Sequence, residues 1–303
     1  MKFGVQLLNY FTTWEETLPA IKYLDKGSWT SLWFSDHFIP PYPRANWEAE
    51  SALESWSILT ATAVVTERLR LGVLVTGNKF RNPALLAKMV STIDQISNGR
   101  LILGIGAGWY KREHEAYGWE FPGVKERCDR LEEAVELIKK LFTADGPVSY
   151  EGHYYKLKDA YFSPPCTQKP HVPIMVGGNG EKRTLRTLAK FGDIANIDLN
   201  KTGTPEMFAH KMEVIDRYCE EFGRNPKDIK RTMVIPIRIA NNEEEAVELR
   251  KKLDWALYGT VPFIIDRIQK FIDVGAEEII LSGTLSKPEL FKQIEDDVLS
   301  NFI

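Results

Sequence analysis

A histidine beside a carboxylate can exchange protons near neutral pH, and this chain has such a pair at Asp36 and His37. An imidazole titrates near pH ~6.5, and a neighbouring carboxylate biases its charge or tautomer. The same pair also suits a plain strand end facing water. A second group follows Gly106, Ala107 and Gly108, where Trp109, Tyr110, Glu113, His114 and Tyr117 stand close together. Glycine lacks a Cβ, so its backbone can lie against a phosphate or an aromatic ring, or simply make a tight strand-to-helix turn. A third group is Gly177, Gly178, Asn179 and Gly180, just ahead of a helix-like stretch. Free amides and the positive end of a helix dipole offer an anion site there. Asp36, Glu113 and His114 include metal-ligand types, but no HxH or HExxH spacing accompanies them, and no metal site is expected. His153, His171 and His210 lie in loop or outer-helix contexts and read as structural.

These groups need a scaffold, and the apolar pattern supplies one. Phe3 to Leu8 reads as a strand, Trp14 to Lys26 as a helix closed by a left-handed Gly27, and Ser31 to His37 as a second strand. A helix carrying Trp56, Leu59 and Ala63 leads to a third strand, Leu69 to Val75. A helix entered at Pro83 presents Leu86, Met89, Val90, Ile93 and Ile96 along one stripe. The fourth strand, Leu101 to Ile105, is apolar and uncharged, as a strand buried on both faces must be. After a helix with Leu131, Val135, Ile138 and Phe142, the alternating aromatic stretch VSYEGHYYKLKDAYFSPP reads as a hairpin excursion. Strand five is Val172 to Val176, strand six Ile194 to Ile197, and a helix with Phe208, Met212, Ile215, Cys219 and Phe222 follows. Strand seven is Thr232 to Ile239. An acidic helix start at Glu243 to Glu245 runs into Leu249, Leu253 and Leu257, a further helix spans Phe263 to Val274, and strand eight is Glu278 to Leu281. A terminal helix begins at Pro288.

Strand and helix alternate in this way with no break in composition, which predicts one α/β domain over residues 1–303, a (β/α)8 TIM barrel with the hairpin before strand five. An open doubly wound sheet would place a glycine-rich phosphate turn after strand one, where this chain has Leu7, Leu8 and Asn9. In such barrels chemistry collects where strands end, and the strand count puts Asp36 and His37, Val73 to Asn78, Gly106 to Trp109 and Gly177 to Gly180 on that face.

Composition narrows the partners. A chain of 303 residues with formal net charge −3 has no broad basic face for nucleic acid or an anionic membrane, so a small molecule is the expected partner. Three cysteines without CxxC spacing argue against a disulfide framework and suggest a reducing, cytoplasmic setting. The apolar opening is too short for a signal peptide's core, and nowhere do 18 apolar residues run together.

The run from Leu69 through Gly118, LRLGVLVTGNKFRNPALLAKMVSTIDQISNGRLILGIGAGWYKREHEAYG, carries a resemblance, extended by RCDRLEEAVELIKKLF, EGHYYKLKDA and PIMVGGNGEKRTLRTLAKFGDIANI. It closely resembles the luciferase-like monooxygenase superfamily, in particular its coenzyme F420-dependent oxidoreductases, over most of the chain from Phe3 to Ile239. The resemblance implies a (β/α)8 barrel with a flavin-type coenzyme across its C-terminal mouth. It implies a non-prolyl cis peptide at Gly72–Val73 or Val73–Leu74, pressing backbone against the ring. Ser35, Asp36 and His37 look like the family's F420 signature, with Asp36 near the ring and His37 as proton donor or coenzyme ligand. Val73, Leu74, Thr76 and Asn78 would join Gly106, Ala107, Gly108, Gly177, Gly178, Asn179 and Gly180 in holding the coenzyme. Sugar-phosphate dehydrogenases of the family carry a glutamate acid where this chain has Trp109, so that substrate does not transfer, and Glu113 becomes the candidate acid. Trp47, Trp109, Tyr110 and His114 would line the substrate pocket. Hydride transfer between F420 and a small organic substrate is the expected activity. Its rivals are an FMN monooxygenase fed by a separate flavin reductase with oxygen as co-substrate, and a coenzyme-binding protein without turnover. The family often forms dimers.

Overall fold

The protein is described here by a computed structural model covering residues 1–41, 51–198, 203–283 and 287–303. Its strands are β1 (Lys2–Leu7), β2 (Ser31–Phe34), β3 (Arg70–Val73), β4 (Thr76–Gly77), β5 (Leu101–Gly106), β6 (Val148–Glu151), β7 (Lys156–Ala160), β8 (Ile174–Gly177), β9 (Ile194–Asp198), β10 (Lys230–Ile239), β11 (Leu257–Gly259) and β12 (Glu278–Ser282). Parallel pairing runs β1, β2, β3, β5, β8, β9, β10, β12, and β12 pairs back onto β1, so the sheet closes into the expected eight-stranded barrel. Burial on both faces explains why these strands read as unbroken apolar runs.

Side chains alternate across the barrel wall. Phe3, Val5, Leu7, Leu101, Leu103 and Ile105 point outward into the shell of helices, while Trp33, Ile102, Met175, Ile194 and Ile280 fill the lumen with Leu74. At the barrel floor the buried Glu278 accepts from Ser31 and Thr30 and pairs with Lys230. The main outer helices are α1 (Trp14–Lys26), α2 (Ser55–Val65), α3 (Pro83–Ile96), α5 (Val124–Phe142), α6 (Thr184–Phe191), α7 (Pro205–Glu221), α8 (Glu243–Arg250), α9 (Val261–Asp273) and α10 (Pro288–Asp297), with the short α4 (Lys111–Ala116) before α5. Local chemistry fixes their starts. Thr13 and Glu16 form a capping box on α1, Asn82 caps α3 ahead of Pro83, and Thr204 caps α7 ahead of Pro205. The β6–β7 hairpin lies off the barrel, and Glu133 of α5 accepts the amides of His153, Tyr154 and Tyr155 in its turn.

Several boundaries differ from the sequence expectation. The second strand ends at Phe34, which leaves Ser35, Asp36 and His37 in the loop beyond it. Strand five begins at Ile174 rather than Val172. Leu257 does not continue the helix of Leu249. That helix stops at Arg250, and Leu257–Gly259 pairs instead with the part of β10 beyond Pro236, where pairing with β12 ends. Covering an exposed strand edge outweighs a helical spacing that loops can imitate. Gly27 has φ −83°, so it is not left-handed; a Cβ there would press on the carboxylate of Glu295.

Candidate active site

The loop that leaves β2 carries the site, and it is held on one side through its own Asp36 and on the other by Glu113. Asp36 is buried, and both its oxygens are taken. Arg81 donates to Oδ2 at 2.7 Å and to Oδ1 at 3.2 Å, and the Ser55 hydroxyl donates to Oδ1. On the other side stands Glu113, fully buried in α4. Its Oε1 accepts the amides of Phe38 at 2.6 Å and Ile39 at 2.9 Å, and its Oε2 lies 2.8 Å from His37 Nδ1.

This contact orients the imidazole. A carboxylate oxygen at Nδ1 calls for a proton on that nitrogen, so the variable proton of His37 belongs to Nε2. No described residue engages Nε2, and the His37 side chain keeps 16% of its exposure. Aromatic rings stand around it. Trp109 and Tyr110 meet the imidazole edge-on at 5.6 Å and 5.8 Å, and Tyr10 lies tilted at 6.3 Å. Trp109 is 58% exposed, unusual for so large an apolar ring and consistent with a rim that a ligand would cover.

His114 does not line that wall. Adjacent helix residues point about 100° apart, so while Glu113 reaches the His37 loop, His114 turns inward between Phe80 and Phe121 at 4.9 Å and 4.8 Å. Its Nδ1 lies 3.2 Å from the Tyr110 carbonyl, and its buried Nε2 has no partner among the described residues. Burial lowers its proton affinity, which keeps it neutral at pH 7. Trp47 lies outside the described residues.

The floor of the mouth is backbone packed on backbone. The cis peptide falls at Leu74–Val75, one residue beyond the latest expected bond. Gln6 Nε2 donates to the Leu74 carbonyl at 3.1 Å and to Ser35 Oγ at 3.0 Å. The Val75 side chain lies against Gly106 and Gly177, where added Cβ atoms would come within 2.8 Å and 2.7 Å of its methyls. These two glycines therefore make room for a valine, a packing duty the sequence did not reveal. A Cβ on Gly104 would meet the Val73 carbonyl at 2.1 Å.

Val73 and Leu74 are buried, and Thr76 accepts the Trp56 indole N–H at 2.8 Å. Asn78 donates from Nδ2 to the Tyr155 hydroxyl at 3.1 Å, while its Oδ1 is buried without a partner. Ala107 is half-buried, and Gly108, at φ +77°, offers its carbonyl to Arg127. Gly178 has φ +130°, which favours glycine, and a Cβ on it or on Gly180 would lie 3.1 Å from Thr184. Helix α6 begins only at Thr184, after a turn in which Arg183 and Leu185 donate to the Gly180 carbonyl. Asn179 Nδ2 donates to the Asp198 carbonyl.

The structure thus brings His37, Glu113, Trp109 and Tyr110 together and holds Asp36 beside them on a different partner. Sequence reasoning missed Arg81, Ser55, Gln6, Tyr10 and Tyr155. Arg81 left one signal, its place just before the helix start Asn82–Pro83.

The profile of a known family, described as "Luciferase-like monooxygenase", matches residues 1–303. The chain is 32% identical over 257 residues to an F420-dependent glucose-6-phosphate dehydrogenase of Amycolatopsis mediterranei (strain U-32), a match spanning 82% of this chain and 70% of that protein. Against other relatives of that name the match spans 64% to 65% of their length. It is 27% identical over 310 residues to a 5,10-methylenetetrahydromethanopterin reductase of Archaeoglobus fulgidus, over 100% of this chain and 85% of that protein. The solved structure of an F420-dependent secondary alcohol dehydrogenase in complex with an F420-acetone adduct is similar in fold, with TM-score 0.83 at 22% identity, covering 100% of this chain and 98% of that one.

Proposed function

The chain belongs to the luciferase-like monooxygenase family, and from that premise we propose that it is an oxidoreductase transferring hydride between coenzyme F420 and a small organic substrate, with residues 1–303 working as one barrel domain. The observation that carries this reading is His37, fixed at Nδ1 by a buried carboxylate, with no described residue engaging its Nε2, beside an aromatic wall.

The residues at the mouth fit a coenzyme of this kind. Gly178 leaves out a Cβ in a loop of positive φ, and Asn78 Oδ1 is a buried acceptor with no donor among the described residues. Bound across the mouth, F420 supplies two-electron hydride chemistry. The backbone from Val73 to Thr76 and from Gly106 to Gly108 supports the ring, and Gly177 to Gly180 with Asn78 and Asn179 hold the side chain. His37 Nε2 gives or takes the proton at the substrate heteroatom as the neighbouring carbon gains or loses hydride. Glu113 holds the ring of His37 rather than acting as a free acid, because its oxygens are already engaged. Trp109, Tyr110 and Tyr10 keep water from the reacting atoms.

The test is coenzyme choice. Calorimetry should find F420 bound more tightly than FMN; FMN bound at least tenfold tighter, about 1.4 kcal/mol, overturns the reading in favour of a flavin monooxygenase. We further take the enzyme to act as a homodimer, supported by exposed Val64, Leu85 and Ile96 on α2 and α3, and light scattering at one chain mass removes that part. A cytoplasmic setting fits Cys128, Cys166 and Cys219, which are buried and unpaired, and cell fractionation tests it. Among the described residues no helix is long and apolar enough to cross a membrane.

A further inference from the structure

We propose that Arg81 is a positioning residue for His37, and that Asp36 serves to receive Arg81 rather than to touch the coenzyme. The proposal rests on the reading of His37 as proton carrier.

The geometry is that of a buried clamp. The Arg81 side chain is 9% exposed, and its guanidinium spans both Asp36 oxygens while a further N–H reaches Glu54 Oε1. Two rings flank it, Phe38 at 5.8 Å and Trp56 at 6.0 Å from the guanidinium carbon. Glu54 is itself fixed, since it caps α2 by accepting the Ser57 hydroxyl and the amides of Ser57 and Trp56; burial pushes its carboxyl up, but these bonds and the Arg81 charge hold it below the usual carboxylate range. One guanidinium, a single residue before the cap of α3, therefore joins the loop after β2 to the starts of α2 and α3.

His37 sits between this clamp and Glu113. Glu113 holds the imidazole and the amides that follow it; Arg81 holds the residue before it. Neither is redundant. Glu113 alone fixes the ring and the loop after it but leaves Asp36, on the other side of His37, free to shift, and a displacement near 1 Å at a reacting group costs about a hundredfold in rate. Without Arg81 the buried Asp36 carboxylate keeps, among the described residues, only the Ser55 hydroxyl, and a buried carboxylate with one neutral donor shifts to find another. A lysine cannot replace the fork, because a single ammonium does not span two carboxylate oxygens in the plane that a guanidinium does.

The experiment compares wild type, Arg81→Ala, Arg81→Lys, Asp36→Asn and His37→Ala in stopped-flow hydride transfer at saturating F420 and substrate, with F420 affinity from fluorescence and melting curves beside it. Arg81→Ala should transfer hydride about a hundredfold more slowly, at a temperature where it is folded, with F420 affinity within a few-fold of wild type. Added guanidinium should restore part of that rate, and Arg81→Lys should recover less. A purely stabilising role predicts a lower melting temperature with an unchanged rate, and that result overturns the proposal. Should Arg81→Ala fail to fold, Asp36→Asn breaks the same contact, and a wild-type rate there overturns it equally. His37→Ala separates the two readings. If it is slow while Arg81→Ala keeps the wild-type rate, the positioning role alone falls; if His37→Ala itself keeps that rate, the proton-carrier reading falls and takes this one with it.

Discussion

His37 and His114 are both held at Nδ1, by partners with opposite consequences. The partner of His37 is a buried carboxylate that fixes the ring at Nδ1, and no described residue engages its Nε2. His37→Asn keeps a hydrogen-bonding group and loses the proton, so hydride transfer at saturating coenzyme should fall by about a hundredfold or more, with coenzyme affinity within a few-fold. A wild-type rate across pH 5 to 9 would remove His37 from the mechanism. His114 has only a carbonyl at Nδ1 and an apolar cage around it, and burial lowers its proton affinity. The folded chain then binds fewer protons there than the unfolded chain once pH falls below the ordinary value of about 6.5, so stability is lost as pH drops through that value. His114→Asn keeps a donor towards Tyr110 and cannot titrate. Its melting temperature should fall less between pH 7 and pH 5 than that of wild type; equal falls would show that His114 is not the sensor.

Among the elements, β3, β4 and β5 with the end of β8 form the part of the site that side-chain chemistry describes least. Val75 sits in the space left by Gly106 and Gly177, and the three residues act as one packed unit. Gly177→Ala should overpack this unit and cost about 1–3 kcal/mol in urea unfolding. Adding Val75→Ala should recover part of that loss, a non-additivity expected of touching residues; strictly additive losses would show that the valine is not what the glycine accommodates. This unit also marks the limit of what could be read from the chain. Strands buried on both faces announce themselves as apolar runs, so the barrel was legible. The two-residue β4 and the exact cis bond were not, because neither has a period. The spacing of Leu249, Leu253 and Leu257 was helical by coincidence of a turn followed by β11. At the site, the loop carrying Asp36 and His37 was legible from its residue types. That Glu113 serves His37 while Asp36 serves Arg81 was not, since these partners lie 76 and 45 positions apart and only the closed barrel brings them together.

For the whole molecule, the same eight-strand closure that assembles the site also seals it from beneath. Trp33, Ile102, Met175 and Ile280 fill the lumen, and the Glu278–Lys230 pair lies at its floor. A stoppered barrel has one doorway, so coenzyme and substrate must share it. If F420 lies deepest, against the backbone of Leu74 and Val75, and the substrate rests above it by Trp109, then traffic obeys last in, first out. Steady-state kinetics should show an ordered sequence in which coenzyme enters first and leaves last. In the ordered case, exchange between the two coenzyme redox forms is extinguished by saturating substrate and product while exchange between substrate and product persists at saturating coenzyme; coenzyme exchange that survives would mean the ring can escape past an occupied rim.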